Sequence, residues 1–288
     1  LHILPLLKGV DLEDITRERV KAVAFAALSK GLSPKTVQNI VRCLSSLLAH
    51  AKEDGLIRDN TALRPGKFLP KISKRKSLNP FSREEVGAFL ETAKRKAPRY
   101  FPLFLCALRA GLRQGELLAL QWGDIDFRGR FIEVQRNYAR GQMTTPKSGE
   151  LRRVDMSLEL TQTLRDLQTE RQLEAAANEW DEIPVAVFCN EAGSVLDPSN
   201  LRKRVFGGLL KAAGLRRIRF HDLRHTFASL LLQQGESPVY VKEQMGHSSI
   251  QVTVDLYGHL IPGGNKQAVD RLDGIILKRS NPDMHCAS

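Results

Sequence analysis

Residues 218–259 read IRFHDLRHTFASLLLQQGESPVYVKEQMGHSSIQVTVDLYGH. Apolar residues from Leu223 to Leu231 recur at spacings of three and four, which is typical of one face of a helix. Gly235 and Gly246 then divide the stretch, since glycine commonly follows the last turn of a helix. The pattern predicts three short helices in succession.

These helices carry a chemically unusual set of side chains. His221 and Arg224, three positions apart, share one face of the first helix, His247 follows the second, and Tyr257 lies on the third. A guanidinium matches the oxygens of a phosphate and stays charged, while an imidazole can transfer a proton near neutral pH. Tyrosine can act as a covalent nucleophile. The combination favours attack on a phosphodiester.

Three motifs of this stretch occur in a recognisable order. They are HDLRHTFAS at 221–229, MGHSSI at 245–250 and YGH at 257–259. Together they resemble the carboxyl-terminal catalytic box of the tyrosine recombinases, in particular the phage-type integrases. The resemblance implies a DNA strand transferase whose nucleophile is Tyr257.

The resemblance extends upstream. Residues 108–126 read LRAGLRQGELLALQWGDID and resemble the family's first arginine box, with Arg113 as its arginine and Glu116 three positions later. The family also places a lysine on a β-hairpin. Lys147 fits this position, because TPKSG at 145–149 lies between two β-leaning runs. These runs are Phe131–Tyr138 and Leu151–Met156.

The resemblance implies a role for each matched residue. The implied catalytic set is Arg113, Lys147, His221, Arg224, His247 and Tyr257. Attack by the tyrosine on DNA phosphorus would give a 3′-phosphotyrosyl link and a free 5′-hydroxyl. The two arginines and His247 would hold the non-bridging oxygens. His221 is the candidate general base or proton relay, and Lys147 is the candidate acid on the leaving 5′-oxygen.

Two further side chains are expected to support this set. Glu116 is expected to orient a catalytic side chain, with a plain helix salt bridge as the alternative. His225 directly follows Arg224 and so points about 100° away on the helix, which predicts a structural hydrogen bond rather than chemistry. No His-Glu-x-x-His or Cys-x-x-Cys spacing accompanies the histidines, so no metal is expected. Since the arginines would neutralise the phosphate charge, we expect no cofactor.

Charge and length indicate the partner. The chain has 288 residues, 44 basic against 32 acidic, and a net charge of +12, which favours double-stranded DNA as the partner. No run of eighteen apolar residues occurs, so we expect a soluble, cytoplasmic protein without membrane contact. Cys43, Cys106, Cys189 and Cys286 are scattered and are interpreted as reduced thiols.

The chain divides into two predicted domains and a linker. Residues 1–63 read as a helical DNA-binding domain that begins inside an element, and the resemblance identifies it as a core-binding domain cut at its amino terminus. Residues 64–80 contain six basic residues, three prolines and no acid, which predicts a linker along phosphates. Residues 81–288 form the predicted catalytic domain and tail. The candidate DNA contacts are Lys71, Lys74, Arg75, Lys76, Arg202 and Lys203.

The expected fold is mainly α with a small antiparallel sheet, in which a helical amino-terminal domain precedes an α+β catalytic domain. Val185–Cys189 is predicted as a short strand, and 198–214 as one helix. The resemblance further implies a homotetramer on two DNA sites, and accessory DNA-bending or directionality proteins as partners. Two alternatives are a type IB topoisomerase, which uses similar chemistry, and a basic DNA-binding regulator without catalytic activity.

Overall fold

Helices form most of the described chain. The computed structural model describes residues 2–63, 68–69, 78–145, 151–180, 182–260, 269–270 and 272. Backbone contacts divide the chain into two compact units, Leu1–Ser77 and Leu78–Ser288. Within the described ranges, the strands are short and all pair antiparallel, which confirms the predicted fold class. None of the helices in those ranges is long and apolar enough to cross a membrane.

The described residues of the first unit form three α-helices, and the two longer ones pack through their apolar faces. Its helices are α1 (Leu4–Leu7), α2 (Arg17–Ser29) and α3 (Pro34–Glu53). Helix α3 begins where the sequence predicts because the Ser33 hydroxyl accepts the backbone N–H of Thr36, and Pro34 occupies a position that needs no donor. Val41 and Leu44 of α3 are buried in one core with Val23 of α2.

The second unit contains the remaining helices of the described chain. They are α4 (Arg83–Lys96), α5 (Phe101–Ala110), α6 (Gln114–Leu118), α7 (Leu158–Ala177), α8 (Pro198–Asn200), α9 (Gly207–Ala212), α10 (His221–Gln233), α11 (Pro238–Met245) and α12 (Ile250–Tyr257). Helix α4 opens with the predicted capping box, in which Ser82 and Glu85 each accept the other's backbone N–H at 3.2 and 2.8 Å. Helix α5 is buried almost all round, as its apolar sequence predicts.

Four phenylalanine rings form the centre of the second unit. The rings are those of Phe89 on α4, Phe104 on α5, Phe206 and Phe220. Neighbouring ring centroids are 5.2 to 6.2 Å apart, and each of these pairs is tilted or edge-to-face. Such rings contribute large buried areas and prefer this geometry. Since Phe220 directly precedes α10, this cluster anchors the start of the helix that carries His221.

A three-stranded antiparallel sheet lies beside the helices. Its strands are β1 (Ile125–Asp126), β2 (Phe131–Val134) and β5 (Arg152–Asp155), in the order β1-β2-β5. A separate hairpin joins β3 (Asn137–Ala139) to β4 (Gln142–Thr144). The predicted run Phe131–Tyr138 is therefore split between β2 and β3. Between these strands, Arg136 pairs with the buried carboxylate of Asp124. Lys147 lies outside the described residues.

The predicted strand Val185–Cys189 needs correction. This segment is not a strand but makes the isolated bridges Gln121↔Ala186 and Cys189↔Val195. The first bridge cannot extend, because its partner segment turns into a 3-10 helix at Trp122–Asp124.

The predicted helix 198–214 is helical but not uniform. Helix α8 leads into a π-helical segment, Leu201–Phe206, and then into α9, after which Gly214 turns the chain with φ of 66°. A π segment inserts extra residues into the turn and is often found at functional positions.

Candidate active site

Helix α10 packs closely on the end of α5. Gly111 ends α5 with φ of 60°, and a Cβ there would lie 2.3 Å from Cδ1 of Phe227. Glycine is therefore required both for the backbone conformation and for the space. At the start of α10, Asp222 accepts the backbone N–H and a guanidinium N–H of Arg219 at 2.8 and 2.7 Å. These contacts fix the position and rotation of α10.

Arg224 faces the interior from α10 and is only 3% exposed. Its Nη1 donates to the carbonyl of Gly111 at 2.5 Å, and its Nη2 donates to the carbonyl of Met245. Burial, together with the nearby charge of Arg113, lowers the pKa of Arg224 to about 9. The guanidinium therefore remains charged at neutral pH. A buried cation of this kind favours an anion beside it.

Arg113 lies in the turn between α5 and α6. Its backbone N–H donates to Glu116 Oε2 at 2.8 Å, and its Nη1 donates to Oε1 of the same carboxylate at 2.7 Å. Its Nη2 donates to the carbonyl of Gly246 at 3.0 Å. The side chain is 30% exposed. The guanidinium is thus held in place while part of it stays open to a ligand.

Three arginines meet the end of α11 at three consecutive carbonyls. Arg152 Nε donates to the carbonyl of Gln244 at 3.3 Å, Arg224 to that of Met245, and Arg113 to that of Gly246. The last carbonyls of a helix have no partner within it and carry the negative end of its dipole. They are therefore natural partners for cations. The residue that follows them is His247.

The carboxylate of Glu116 joins two of these arginines. Arg152 donates from Nη1 to Oε1 at 3.0 Å and from Nη2 to Oε2 at 2.6 Å, and the carboxylate is 1% exposed. Burial by itself raises the pKa of Glu116, but the hydrogen bonds and charges of Arg152 and Arg113 outweigh it and bring the pKa to about 2. Glu116 is therefore ionised and bonded to both arginines. Its expected orienting role stays a prediction.

Arg152 belongs to none of the sequence motifs, although its position in the chain carries a signal. Side chains alternate between the two faces of a strand, so Arg152 shares the face of Val154 and Met156. Both of those residues are buried. An arginine in line with buried apolar residues needs an acidic partner inside. That partner is Glu116, 36 positions earlier.

Tyr257 is fully buried, at 0% exposure. It lies in a small core with Phe227 of α10 and Met245 of α11. Its hydroxyl is 2.5 Å from Nδ1 of His225, and its ring stacks on that of His247 with centroids 6.4 Å apart. Burial raises the pKa of Tyr257. The phenol is therefore protonated at neutral pH and bonded to an imidazole.

The structure changes the interpretation of the histidines. His221, the expected general base or proton relay, is exposed at the start of α10. Its ring meets that of His225 edge-on, with the ring centroids 4.8 Å apart. His225, expected to have only a structural hydrogen bond, bonds directly to the tyrosine hydroxyl because α12 returns alongside α10. His247 Nδ1 is 2.9 Å from the hydroxyl of Thr253.

All three imidazoles favour the neutral form. Burial, reinforced by neighbouring positive groups, lowers the pKa values of His225 and His247 to about 4. Partial burial of the His221 ring and the charges of Arg224 and Arg219 also lower the pKa of His221. Among the residues that the structure describes, no group of three or more histidine, cysteine and acidic side chains is arranged to hold a metal ion.

A basic groove leads to this site along the π segment and α9. It has a volume of about 910 Å³ and is lined by Arg202, Lys203, Lys211, Arg217, Arg219 and His221, among others. Gln114, the neighbour of Arg113, also lines it and donates to the carbonyl of Pro198 at 3.1 Å. The other candidate DNA contacts lie outside the described residues. They are Lys71, Lys74, Arg75 and Lys76.

Comparison with known proteins identifies the family. The model of the phage integrase family matches residues 80–262. The ICEBs1 integrase of Bacillus subtilis is 31% identical over 284 residues, which cover 96% of this chain and 75% of the relative. A XerC-like tyrosine recombinase of Caldanaerobacter subterraneus is 29% identical over 292 residues, which cover 94% of this chain and 74% of the relative.

Solved structures show the same fold. The Tn1549 transposon integrase in complex with a circular intermediate DNA aligns with a TM-score of 0.74 at 22% identity, covering 94% of this chain and 91% of that one. The chain therefore belongs to the phage integrase family of tyrosine recombinases, enzymes that cleave and rejoin DNA at specific sites through a covalent phosphotyrosyl intermediate.

Proposed function

We propose that this recombinase exchanges strands between two DNA sites with the six side chains that the motifs single out. They are Arg113, Lys147, His221, Arg224, His247 and Tyr257. The observation that carries the proposal is the position of two guanidiniums, Arg113 and Arg224, on adjacent carbonyls directly before His247. The ring of His247 in turn stacks on that of Tyr257. Two phosphate-binding cations thus lie close to the nucleophile.

The chemistry follows from the charges of these groups. As the Tyr257 oxygen attacks phosphorus, negative charge builds on the non-bridging oxygens, and Arg113, Arg224 and His247 stabilise it by hydrogen bonds. Both arginines are held by the protein before substrate arrives, so they need little reorganisation at the moment of reaction. The energy of the broken phosphodiester bond is conserved in the phosphotyrosyl bond. A 5′-hydroxyl from another strand reverses the step and completes the exchange.

The tyrosine proton needs an acceptor, and two imidazoles are candidates. His225 already lies within hydrogen-bond distance of the hydroxyl, and its ring contacts that of His221. The Nδ1 atom of His225 lies directly at the hydroxyl and is therefore placed to accept the proton. We propose that His225 receives it and that the exposed His221 relays it to solvent. Lys147 acts as the acid on the leaving 5′-oxygen.

DNA reaches the site along the basic groove. Arg202 and Lys203 are exposed on the π segment of this groove and are proposed to bind phosphates. We propose that residues 1–63 act as a core-binding domain and that the basic linker 64–80 adds contacts from Lys71, Lys74, Arg75 and Lys76. The excess of basic residues in the first 80 positions supports this role: fifteen basic residues against seven acidic ones.

Strand exchange between two sites requires more than one protomer. We propose a homotetramer on two DNA sites, assisted by DNA-bending or directionality proteins and acting in the cytoplasm. The relatives include integrases of a transposon and of prophages, which favours a mobile element as the source of the sites.

The proposal is tested with a nicked suicide substrate made from the DNA that flanks the element. We expect a protein–DNA adduct that protease removes, and recombinant product when two intact sites are supplied. A plasmid without the site serves as the control for topoisomerase activity. Relaxation of that plasmid at the rate of site cleavage would contradict site-specific recombination.

A further inference from the structure

We propose that Arg152 is a positioning residue of this active site, which holds Glu116 and the end of α11 in place and through them fixes the Arg113 guanidinium. The inference rests on the proposed role of Arg113 at the scissile phosphate. Arg152 belongs to none of the three motifs and comes from a different element, strand β5.

All three nitrogens of the Arg152 guanidinium are already engaged. Nη1 and Nη2 form a fork with the two oxygens of Glu116, and Nε donates to the carbonyl of Gln244. Only 9% of the side chain is exposed. Arg113, by comparison, keeps 30% of its side chain exposed. Because Nη1, Nη2 and Nε of Arg152 all bond to protein acceptors, its role lies inside the protein.

The contacts of Arg152 and Arg113 run in parallel. Each residue bonds to both oxygens of Glu116, Arg152 through Nη1 and Nη2 and Arg113 through Nη1 and its backbone N–H. Each guanidinium also donates from another nitrogen to a carbonyl at the end of α11. Without Arg152, the buried carboxylate would keep a single guanidinium partner. A hydrogen-bonded buried charge that loses a partner shifts or becomes neutral. Either response would move Arg113, which binds the same two oxygens.

Gly246 shows how closely Arg152 is packed. A Cβ at Gly246 would lie 2.7 Å from Cδ of Arg152, and the residue has φ of 56°, in the left-handed region. The Arg152 side chain thus occupies the space beside the turn that leads from α11 to His247. Removal of this side chain would leave that turn unsupported on one side.

The length and shape of arginine are both needed. A guanidinium presents a planar fork that matches a carboxylate and still has Nε to bond elsewhere. A lysine ammonium at this position can reach one oxygen of Glu116 but cannot hold both oxygens and the Gln244 carbonyl together. The position is therefore expected to require arginine rather than any cation.

The experiment compares Arg152→Met with its neighbour Arg153→Met in the full chain. Arg153 lies on the opposite face of β5, is 67% exposed and pairs with Glu133, so it provides a matched control. Rates of adduct formation with the nicked suicide substrate are measured at saturating protein, alongside DNA affinity by gel shift. We expect Arg152→Met to cleave about 10²-fold more slowly, as for a misplaced catalytic group, with nearly unchanged affinity. Arg153→Met is expected to cleave like wild type.

A pH profile separates positioning from a general loss of structure. The charged groups that act on Glu116 are Arg113 and Arg152, with Arg224 nearby. In the wild type the carboxylate stays ionised throughout pH 5.5 to 8, whereas in Arg152→Met its pKa rises and cleavage is expected to fall on the acid side of that range. The additional change Glu116→Gln removes the group that titrates, so the double variant is expected to lose this acid fall.

Each outcome decides the inference. Cleavage by Arg152→Met close to the wild-type rate, a loss of DNA affinity as large as the loss of cleavage, or no acid fall would overturn it. If Arg152→Met does not fold, Arg152→Lys replaces it and is expected to cleave at least about tenfold more slowly than wild type. A wild-type rate for Arg152→Lys would overturn the proposal equally. Absence of any adduct from the wild type would instead refute the proposed function, and this inference with it.

Discussion

The hydroxyl of Tyr257 lies 2.5 Å from Nδ1 of His225, inside a core where the tyrosine is completely buried. The contact places a proton acceptor directly at the hydroxyl that is proposed to attack DNA.

We expect Tyr257→Phe to abolish adduct formation while DNA affinity stays close to wild type, because only the attacking oxygen is removed. The lost hydrogen bond to His225 should also reduce stability by about 1 kcal/mol. Adducts are measured on denaturing gels and stability by urea unfolding. Tyr240→Phe is the matched control, since Tyr240 lies on α11 and its hydroxyl bonds to Asp155. A protease-sensitive adduct from Tyr257→Phe would place the nucleophile elsewhere.

Arg113→Ala and Arg224→Ala are each expected to slow cleavage by about 10² to 10³, comparable to removal of one oxyanion donor. Their effects on stability should differ. Arg224 is 3% exposed and satisfies two buried carbonyls, so its loss should lower the melting temperature, while the more exposed Arg113 should affect it less.

The control for both arginine variants is Arg109→Ala, on the surface of α5, where the guanidinium pairs with the exposed Glu159. Single-turnover cleavage and thermal unfolding are measured for all three. If Arg113→Ala and Arg224→Ala lost affinity for DNA but kept the wild-type cleavage rate at saturation, Arg113 and Arg224 would be phosphate anchors only.

Stability of the second unit should fall as pH decreases from about 6.5 to 4. The pKa of His225 is lowered by burial to about 4, while an unfolded histidine titrates near 6.5. The unfolded chain thus binds the proton first, so the stabilisation is fully present above about 6.5 and is lost towards 4. The difference between these two pKa values corresponds to at most about 3 kcal/mol in the free energy of unfolding. His247 contributes in the same direction, but less, because it is only half-buried.

Tryptophan fluorescence is the appropriate probe for this pH dependence, since both tryptophans, Trp122 and Trp180, belong to the second unit. Urea unfolding is measured at pH 7.5, 6 and 4.5. His225→Gln should show a smaller decrease with pH than wild type, and His50→Gln, exposed on α3, should show the same decrease as wild type. An equal decrease in all three proteins would assign the effect to other groups.

Residues 78–288 alone should retain weak, tyrosine-dependent cleavage but bind DNA much less tightly than the whole chain. Residue 78 is a suitable start because Arg216 donates to the carbonyls of Asn79 and Pro80, and the Phe81 N–H donates to Thr226. Loss of the basic first quarter should also reduce the slope of affinity against salt concentration, since fewer counterions are released. Gel shifts at two salt concentrations measure the affinity and its salt dependence for residues 78–288 and for the whole chain. Equal affinity and equal slope would show that the first unit contributes no phosphate contacts.

Cleavage should be insensitive to EDTA, because arginines rather than a metal ion neutralise the phosphate charge in the proposed mechanism. Adduct formation is compared with and without the chelator after extensive dialysis. A loss of activity that Mg²⁺ restores would require a metal site and a different mechanism.

Local patterns were sufficient to predict where several helices begin. Ser33 followed by Pro34, and Ser82 followed by Glu85, fix the starts of α3 and α4 through contacts only three residues long. Such contacts can be identified from the sequence because both partners lie on the same turn. The strand predicted at Val185–Cys189 failed for the opposite reason, since a strand exists only if a partner segment runs beside it.

The family, the helical fold and the residue types available for the reaction can be identified from local sequence patterns. The connections between those residues depend on how the chain packs. Arg152 meets Glu116 across 36 positions, and Tyr257 meets His225 across 32, and neither spacing corresponds to a period of a helix or strand. Contacts of this kind depend on how α10, α11, α12 and β5 pack together, which burial of apolar surface decides across the whole second unit.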